Sequence, residues 1–114
     1  MKKLLIFFIS FIPLMAYANM SCSANGCTGT PEYIISWPAG YVTIYPHGGT
    51  ANALNGETDC TGTDNGKAIK LSESNGQDKM YSMLLSAMAA NKSIFIRTQN
   101  NSAECEVVYI RYSE

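Results

Sequence analysis

One histidine stands in these 114 residues, and it sits in a turn-forming stretch, Pro46-His47-Gly48-Gly49. A Ser-His-Asp or Cys-His arrangement would have to be built on that ring. A single imidazole in a turn ordinarily faces solvent, so catalysis is the weakest reading. Metal-ligating patterns are equally sparse: a zinc site needs clustered Cys and His at short spacing, but no C-x-x-C pair occurs and His47 is the one histidine. Charge is low at 15%, and apart from the adjacent Lys2 and Lys3 the Lys and Arg residues are scattered singly. Tracking a phosphate backbone or an anionic membrane needs clustered cations, so neither nucleic acid nor a lipid surface is expected as a partner. No glycine-rich strand–loop–helix unit followed by lysine is present to cradle phosphate. The acidic pairs Glu57 with Asp59 and Glu104 with Glu106 fall in or beside loops and read as solvated charges. No enzyme, metal or cofactor is expected.

Long hydrophobic runs are also missing. The longest, residues 4–14, falls short of the roughly 20 residues that span a bilayer. Lys2 and Lys3 precede it and Ala16-Tyr17-Ala18 follows, the order of a secretory signal peptide with its small-x-small cleavage site. Residues 1–18 are therefore read as a signal peptide and residues 19–114 as a single secreted domain with no stable membrane anchor. A lipoprotein would need Leu three residues before its acylated cysteine, but Asn19-Met20-Ser21 precede Cys22. Cleavage leaves about 96 residues, room for one small core. It also leaves six basic residues against nine acidic ones, a formal charge of about −3.

All four cysteines, Cys22, Cys27, Cys60 and Cys105, lie beyond the leader and so meet an oxidising compartment. Four cysteines permit three pairings. Ser23-Ala24-Asn25-Gly26 is a turn-forming stretch between the first two, which favours Cys22–Cys27 and leaves Cys60–Cys105. On the chain-entropy model the short loop contributes roughly 2 kcal/mol and the long one about 4 kcal/mol.

Along the chain, residues 19–32 show no apolar period and read as a stapled but irregular segment. Residues 33–37 and 41–45 are rich in β-formers, with Tyr41, Thr43 and Tyr45 on one face and Val42 and Ile44 on the other. Pro38-Ala39-Gly40 between them fits either a hairpin or one long strand bulged near Gly40. Residues 46–49 read as a turn, 50–57 as a poor strand at best, and 58–66 as a loop closing on the Asn65-Gly66 turn signal. Residues 67–71 alternate as a half-buried strand. Ser74 and Gln77 have capping-box spacing ahead of a helix whose face is Met80, Leu84, Ala87 and Met88, flanked by Tyr81 and Leu85. Asn91 is its expected left-handed C-terminal cap. Residues 93–97 and 106–112 are two further strands joined by a polar linker.

The order is strand, strand, strand, helix, strand, strand. One helix cannot cover both faces of a sheet, so a curled sheet is expected: mainly β with one α-helix, a small OB-like barrel stapled by disulfides. A plain sheet crossed by one helix is the runner-up.

Three segments, Lys79-Met-Tyr-Ser-Met-Leu-Leu-Ser-Ala87, Asn91-Lys-Ser-Ile-Phe-Ile96 and Cys105-Glu-Val-Val-Tyr-Ile110, together resemble small secreted proteins of Gram-negative bacteria. More distantly the chain from Lys67 onward is similar to the receptor-binding B subunits of subtilase- and pertussis-type toxins. The resemblance implies an OB-fold with a helix ahead of the last strands, assembly as a homo-oligomer, cell-surface glycan as ligand, and a secreted or periplasmic location. No sugar-binding motif of those subunits can be placed on residues of this chain.

Tyr33, Trp37, Tyr41 and Tyr45 are the candidate ligand-binding residues, because rings with a polar handle suit sugar stacking and protein interfaces alike. Ordinary core packing of β-strand aromatics is the alternative. The helix methionines Met80, Met83 and Met88 read as gap-filling core residues or a subunit contact. Arg111 and Tyr112 belong to a final strand whose edge is open to pairing. The leading expectation is a non-enzymatic secreted or periplasmic binding module, glycan-binding and oligomeric. The alternative is an inhibitor or accessory protein that binds another protein, and a small hydrolase using His47 comes third.

Overall fold

The structure, a computed structural model, describes residues 20–47, 54 and 58–113. The leader at 1–18 lies outside the described residues, as do residues 48–53 and 55–57 of the expected turn and poor strand. Seven strands and one helix follow in order: β1 (Met20–Ser23), β2 (Gly26–Gly29), β3 (Tyr33–Ser36), β4 (Val42–Tyr45), β5 (Ile69–Leu71), α1 (Gln77–Ala90), β6 (Ile94–Thr98) and β7 (Val107–Tyr112). They form a four-stranded sheet, β1-β2-β6-β7, and a three-stranded sheet, β3-β4-β5. Every pairing within the two sheets is antiparallel.

The fold is mainly β with one helix and two disulfides, as the element order predicts, and strands β3 to β7 keep the expected order around α1. The sheets do not close into one continuous barrel. Two corners join them. At one, the chain runs from β2 through the buried Pro31 directly into β3, with Glu32 N–H donating to the Tyr45 carbonyl at 2.9 Å. At the other, a lone parallel bridge couples Lys70 of β5 to Glu106 just before β7. A single bridge supplies little of the cooperative ladder that holds a barrel shut. The Cys60–Cys105 disulfide, its Cα atoms 5.1 Å apart, is anchored next to that weak corner.

The N-terminal segment corrects the sequence reading. Residues 20–29 are a hairpin, not an irregular stretch, with Cys22 directly opposite Cys27 in the register and bonded to it. Polar composition hid it, since among its side chains Met20 and Cys27 are buried in the core and Cys22 packs against it. Its placement depends on Gly26, which has φ +151°. A Cβ there would strike the backbone carbonyl oxygen of Ile96, so β2 lies against β6 only without a side chain at this point.

The two readings at Gly40 resolve in favour of a hairpin. Trp37 N–H donates to the Tyr41 carbonyl at 2.9 Å, and Gly40 N–H returns to the Trp37 carbonyl at 3.0 Å. Gly40 carries φ +99°, so the loop pairs Pro at its first position with Gly at the positive-φ position that three-residue hairpins use.

The helix ends as expected on Asn91 in the left-handed region, with Lys92 N–H reaching the Ala87 carbonyl at 2.8 Å. Its start differs. Gly76 occupies the N-cap, no side chain caps it, and the Ser74–Gln77 capping box does not form. The Gln77 amide instead donates to the carbonyl of Gly40 at 2.6 Å, tying the helix start to the β3–β4 turn. Leu84 and Ala87 are buried against the sheets, with Met80, Tyr81, Met83 and Met88 half-buried around them. Leu85, expected on the flank of that face, points to solvent. The core is one cluster joining Val42, Ile44, Ile69 and Leu71 of the small sheet to Ile94, Ile96 and Ile110 of the large one.

Candidate functional site

Alternation places Val42 and Ile44 of β4 in the core and turns Thr43 and Tyr45 to the outer face of the β3-β4-β5 sheet. Tyr33 is the cross-strand partner of Tyr45, and their rings stack at 4.3 Å with 15° between planes. Further along the same face, Trp37 and Tyr41 flank the hairpin turn with rings 6.0 Å apart and nearly parallel. Lys70, opposite Thr43 in the register, sets its ammonium 4.7 Å from the Tyr41 ring centre, a cation–π arrangement. The structure thus brings all four candidate residues to one surface and adds Lys70 to them.

The four are not equally available. Tyr33 and Trp37 are 38% and 40% exposed, Tyr41 is half-buried, and Tyr45 is covered at 2%. Tyr45 is therefore support beneath Tyr33, and its phenol donates to the Asp64 carboxylate at 2.8 Å. Burial holds the Tyr45 phenol above its ordinary pKa; a hydrogen bond with Thr43 opposes this, and the Asp64 carboxylate reinforces it. Lys70 is raised as well, chiefly by its hydrogen bond to Glu104 at 2.9 Å.

Trp37 is held in place by its polar edge. Its indole N–H donates to the Thr43 hydroxyl at 3.0 Å, a group itself 3% exposed. The ring cannot swing away without leaving that bond. The result is a pair of aromatic platforms, Tyr33 on Tyr45 and Trp37 beside Tyr41, about 13 Å apart along β3 at four residues' rise. Flat, fixed, amphipathic rings of this kind stack on the apolar faces of sugars or on aliphatic side chains.

Among the described residues no group of three or more His, Cys, Asp or Glu is placed to hold a metal ion. Glu104 is ion-paired to Lys70, and Glu106 accepts from the Ser72 hydroxyl at 3.0 Å, so the 104–106 pair ties β5 to the start of β7. Thr43, Asp64, Lys70 and Glu104 were missed as supporting residues in the sequence reading. Thr43 and Lys70 carried a local signal, as polar positions of alternating strands.

No helix among the described residues is long and apolar enough to cross a membrane. No protein-family model, curated protein or solved structure matches this chain.

Proposed function

We propose that this protein is a secreted or periplasmic, non-enzymatic binding module whose Tyr33–Trp37–Tyr41 face stacks on glycan. The observation that carries the reading is the tethered, exposed indole of Trp37, fixed by Thr43 before any ligand arrives. Pre-organised rings lose little conformational freedom on binding, which is where weak surface recognition usually fails. The leader-like N-terminus and two disulfides support an oxidising compartment outside the cytoplasm.

Trp37 is the chain's single tryptophan, so selectively excited tryptophan emission reports on this face alone. Titration with a panel of neutral and sialylated oligosaccharides should give a saturable change in emission for at least one class. Tyr41→Ala should weaken it while leaving the fold intact. A flat response across the panel, with binding detected elsewhere on the protein, would move the site away from Trp37.

The oligomeric reading rests on the likeness to toxin B subunits and is tested by native mass. A stable pentamer supports it, and a concentration-independent monomer removes it. A second reading, an accessory or inhibitory protein that binds another protein, is favoured by the exposed apolar and aromatic side chains of β7, Val108, Tyr109 and Tyr112.

A further inference from the structure

Two rows of residues cross the large sheet on the face turned away from the core. In one, Ser21, Thr28, Phe95 and Arg111 are successive cross-strand partners from β1 to β7. In the next, Arg97 of β6 stands opposite Tyr109 of β7. Their neighbours along the strands, Ile94, Ile96 and Ile110, point the other way and share the core cluster with Leu84 and Ala87 of α1. Helix α1 and the small sheet therefore lie against the inner face. On the outer face Ser21, Thr28 and Arg111 are exposed, Tyr109 is 44% exposed, and Phe95 and Arg97 are half-buried between them.

This outer face holds positive charge that nothing on the sheet neutralises. None of β1, β2, β6 and β7 contains Asp or Glu. The ion pair found among the described residues, Lys70 with Glu104, involves neither arginine. Arg97 and Arg111 occupy one diagonal of a square whose other diagonal is Phe95 and Tyr109, with ring centres 6.1 Å apart. The Arg111 guanidinium rests 4.8 Å from the Phe95 ring centre, which steadies its planar fork. Tyr109 is left as an open ring beside both cations, and the hydroxyls of Thr28 and Ser21 continue the face towards β1.

We propose that this face is a second binding site, for a carboxylate-bearing saccharide, separate from the face around Trp37. A guanidinium fork receives a carboxylate through two parallel N–H···O bonds. The Tyr109 ring takes the apolar side of a pyranose, and the Thr28 and Ser21 hydroxyls meet its polar rim. Area favours a small ligand over a folded protein. The two rows across four strands span roughly 19 Å by 14 Å, on the order of 300 Å². A stable protein interface takes about 800 Å² from each partner. A second copy of this chain, presenting the same face, would set arginine against arginine.

The test uses the oxidised protein, isotope-labelled for amide NMR, with trigalacturonate and its carboxyl methyl ester as probes. Trigalacturonate should shift the amides of Thr28, Phe95, Arg97, Tyr109 and Arg111 saturably at millimolar concentration, and the uncharged ester should not. Arg111→Gln should weaken binding about tenfold, the worth of one charge-assisted hydrogen bond, while the ladder amides keep their positions. Arg111→Lys should restore only part of that loss, because an ammonium lacks the fork. Trp37 emission should stay constant throughout, so this site and the Trp37 face stand or fall separately. Equal response to acid and ester, or no response to trigalacturonate, overturns the proposal. So do shifts confined to the Tyr33–Tyr41 face. Equal affinity for a triglutamate peptide, which has carboxylates but no pyranose, would assign the arginines to an acidic protein segment instead.

Discussion

The indole of Trp37 and the hydroxyl of Thr43 are joined at 3.0 Å across the β3–β4 hairpin, with the hydroxyl sealed from water and the indole ring open to it. One buried group thereby orients the most exposed ring of the aromatic face. Thr43→Val keeps the shape and β preference of the side chain and deletes only the bond. Water can take over the indole N–H, so the fold should lose about 1 kcal/mol or less. The emission of Trp37 should shift to the red and its anisotropy fall as the ring is released. If glycan binds on this face, affinity should drop with it. Unchanged anisotropy in the variant would show that packing on Tyr41, not the hydrogen bond, sets the ring.

The two disulfides should contribute unequally. Cys22–Cys27 closes a hairpin that the β1–β2 ladder already holds, whereas Cys60–Cys105 clamps the corner joined by one parallel bridge. Loop entropy alone gives about 2 kcal/mol for the first and about 4 kcal/mol for the second. The Cys60→Ser, Cys105→Ser double variant should therefore be far less stable to urea than the Cys22→Ser, Cys27→Ser one. A small domain has little stability in reserve, so the former should be largely unfolded at body temperature.

How much of this was legible in the sequence differs by element. Strands β3, β4, β6 and β7 and the helix announced themselves because each has an apolar period of its own. Asn91 marked the helix end because few residues tolerate the left-handed conformation that it adopts. The β1–β2 hairpin stayed hidden because its polar, glycine-rich strands owe their place to register against β6. The same distinction governs the aromatic face. Tyr41, Thr43 and Tyr45 could be assigned to one side of a strand by alternation. That Tyr45 would be buried and Lys70 recruited could not, since their partners Asp64 and Glu104 are set by tertiary pairing 19 and 34 residues away.

Alkaline pH should loosen the small sheet first. The folded-state pKa values of both Tyr45 and Lys70 are raised, the former chiefly by burial and the latter chiefly by Glu104. A raised folded-state value means the native protein binds the proton more tightly than the unfolded chain. The associated stability is thus complete below the unfolded values, near 10.0 for tyrosine and 10.5 for lysine, and is lost as pH rises through the folded ones. Tm should be flat through neutral pH and fall from about pH 10 upward. Tyr45→Phe should start lower, by about 1 kcal/mol for the lost Asp64 bond, and decline less steeply. A variant that declines as steeply as the parent would place the alkaline transition elsewhere.

Two glycines make the sharpest contrast in the chain. At Gly26 the backbone has φ +151°, and a Cβ would collide with the Ile96 carbonyl of the neighbouring strand. That obstacle is backbone, fixed by the β2–β6 ladder, so it cannot rotate away as a side chain would. Gly26→Ala must pull the start of β2 off β6 or distort the adjoining β1–β2 turn. The cost should be about 3 kcal/mol or more, at the diagnostic end of single substitutions. Gly76 at the helix start has φ −99°, and its added Cβ would meet only the Met80 methyl at 3.7 Å, ordinary contact. Gly76→Ala should therefore change stability by no more than about 0.5 kcal/mol. Urea unfolding of the two variants side by side checks the difference. Near-equal midpoints would mean that β2 yields to the added Cβ without cost.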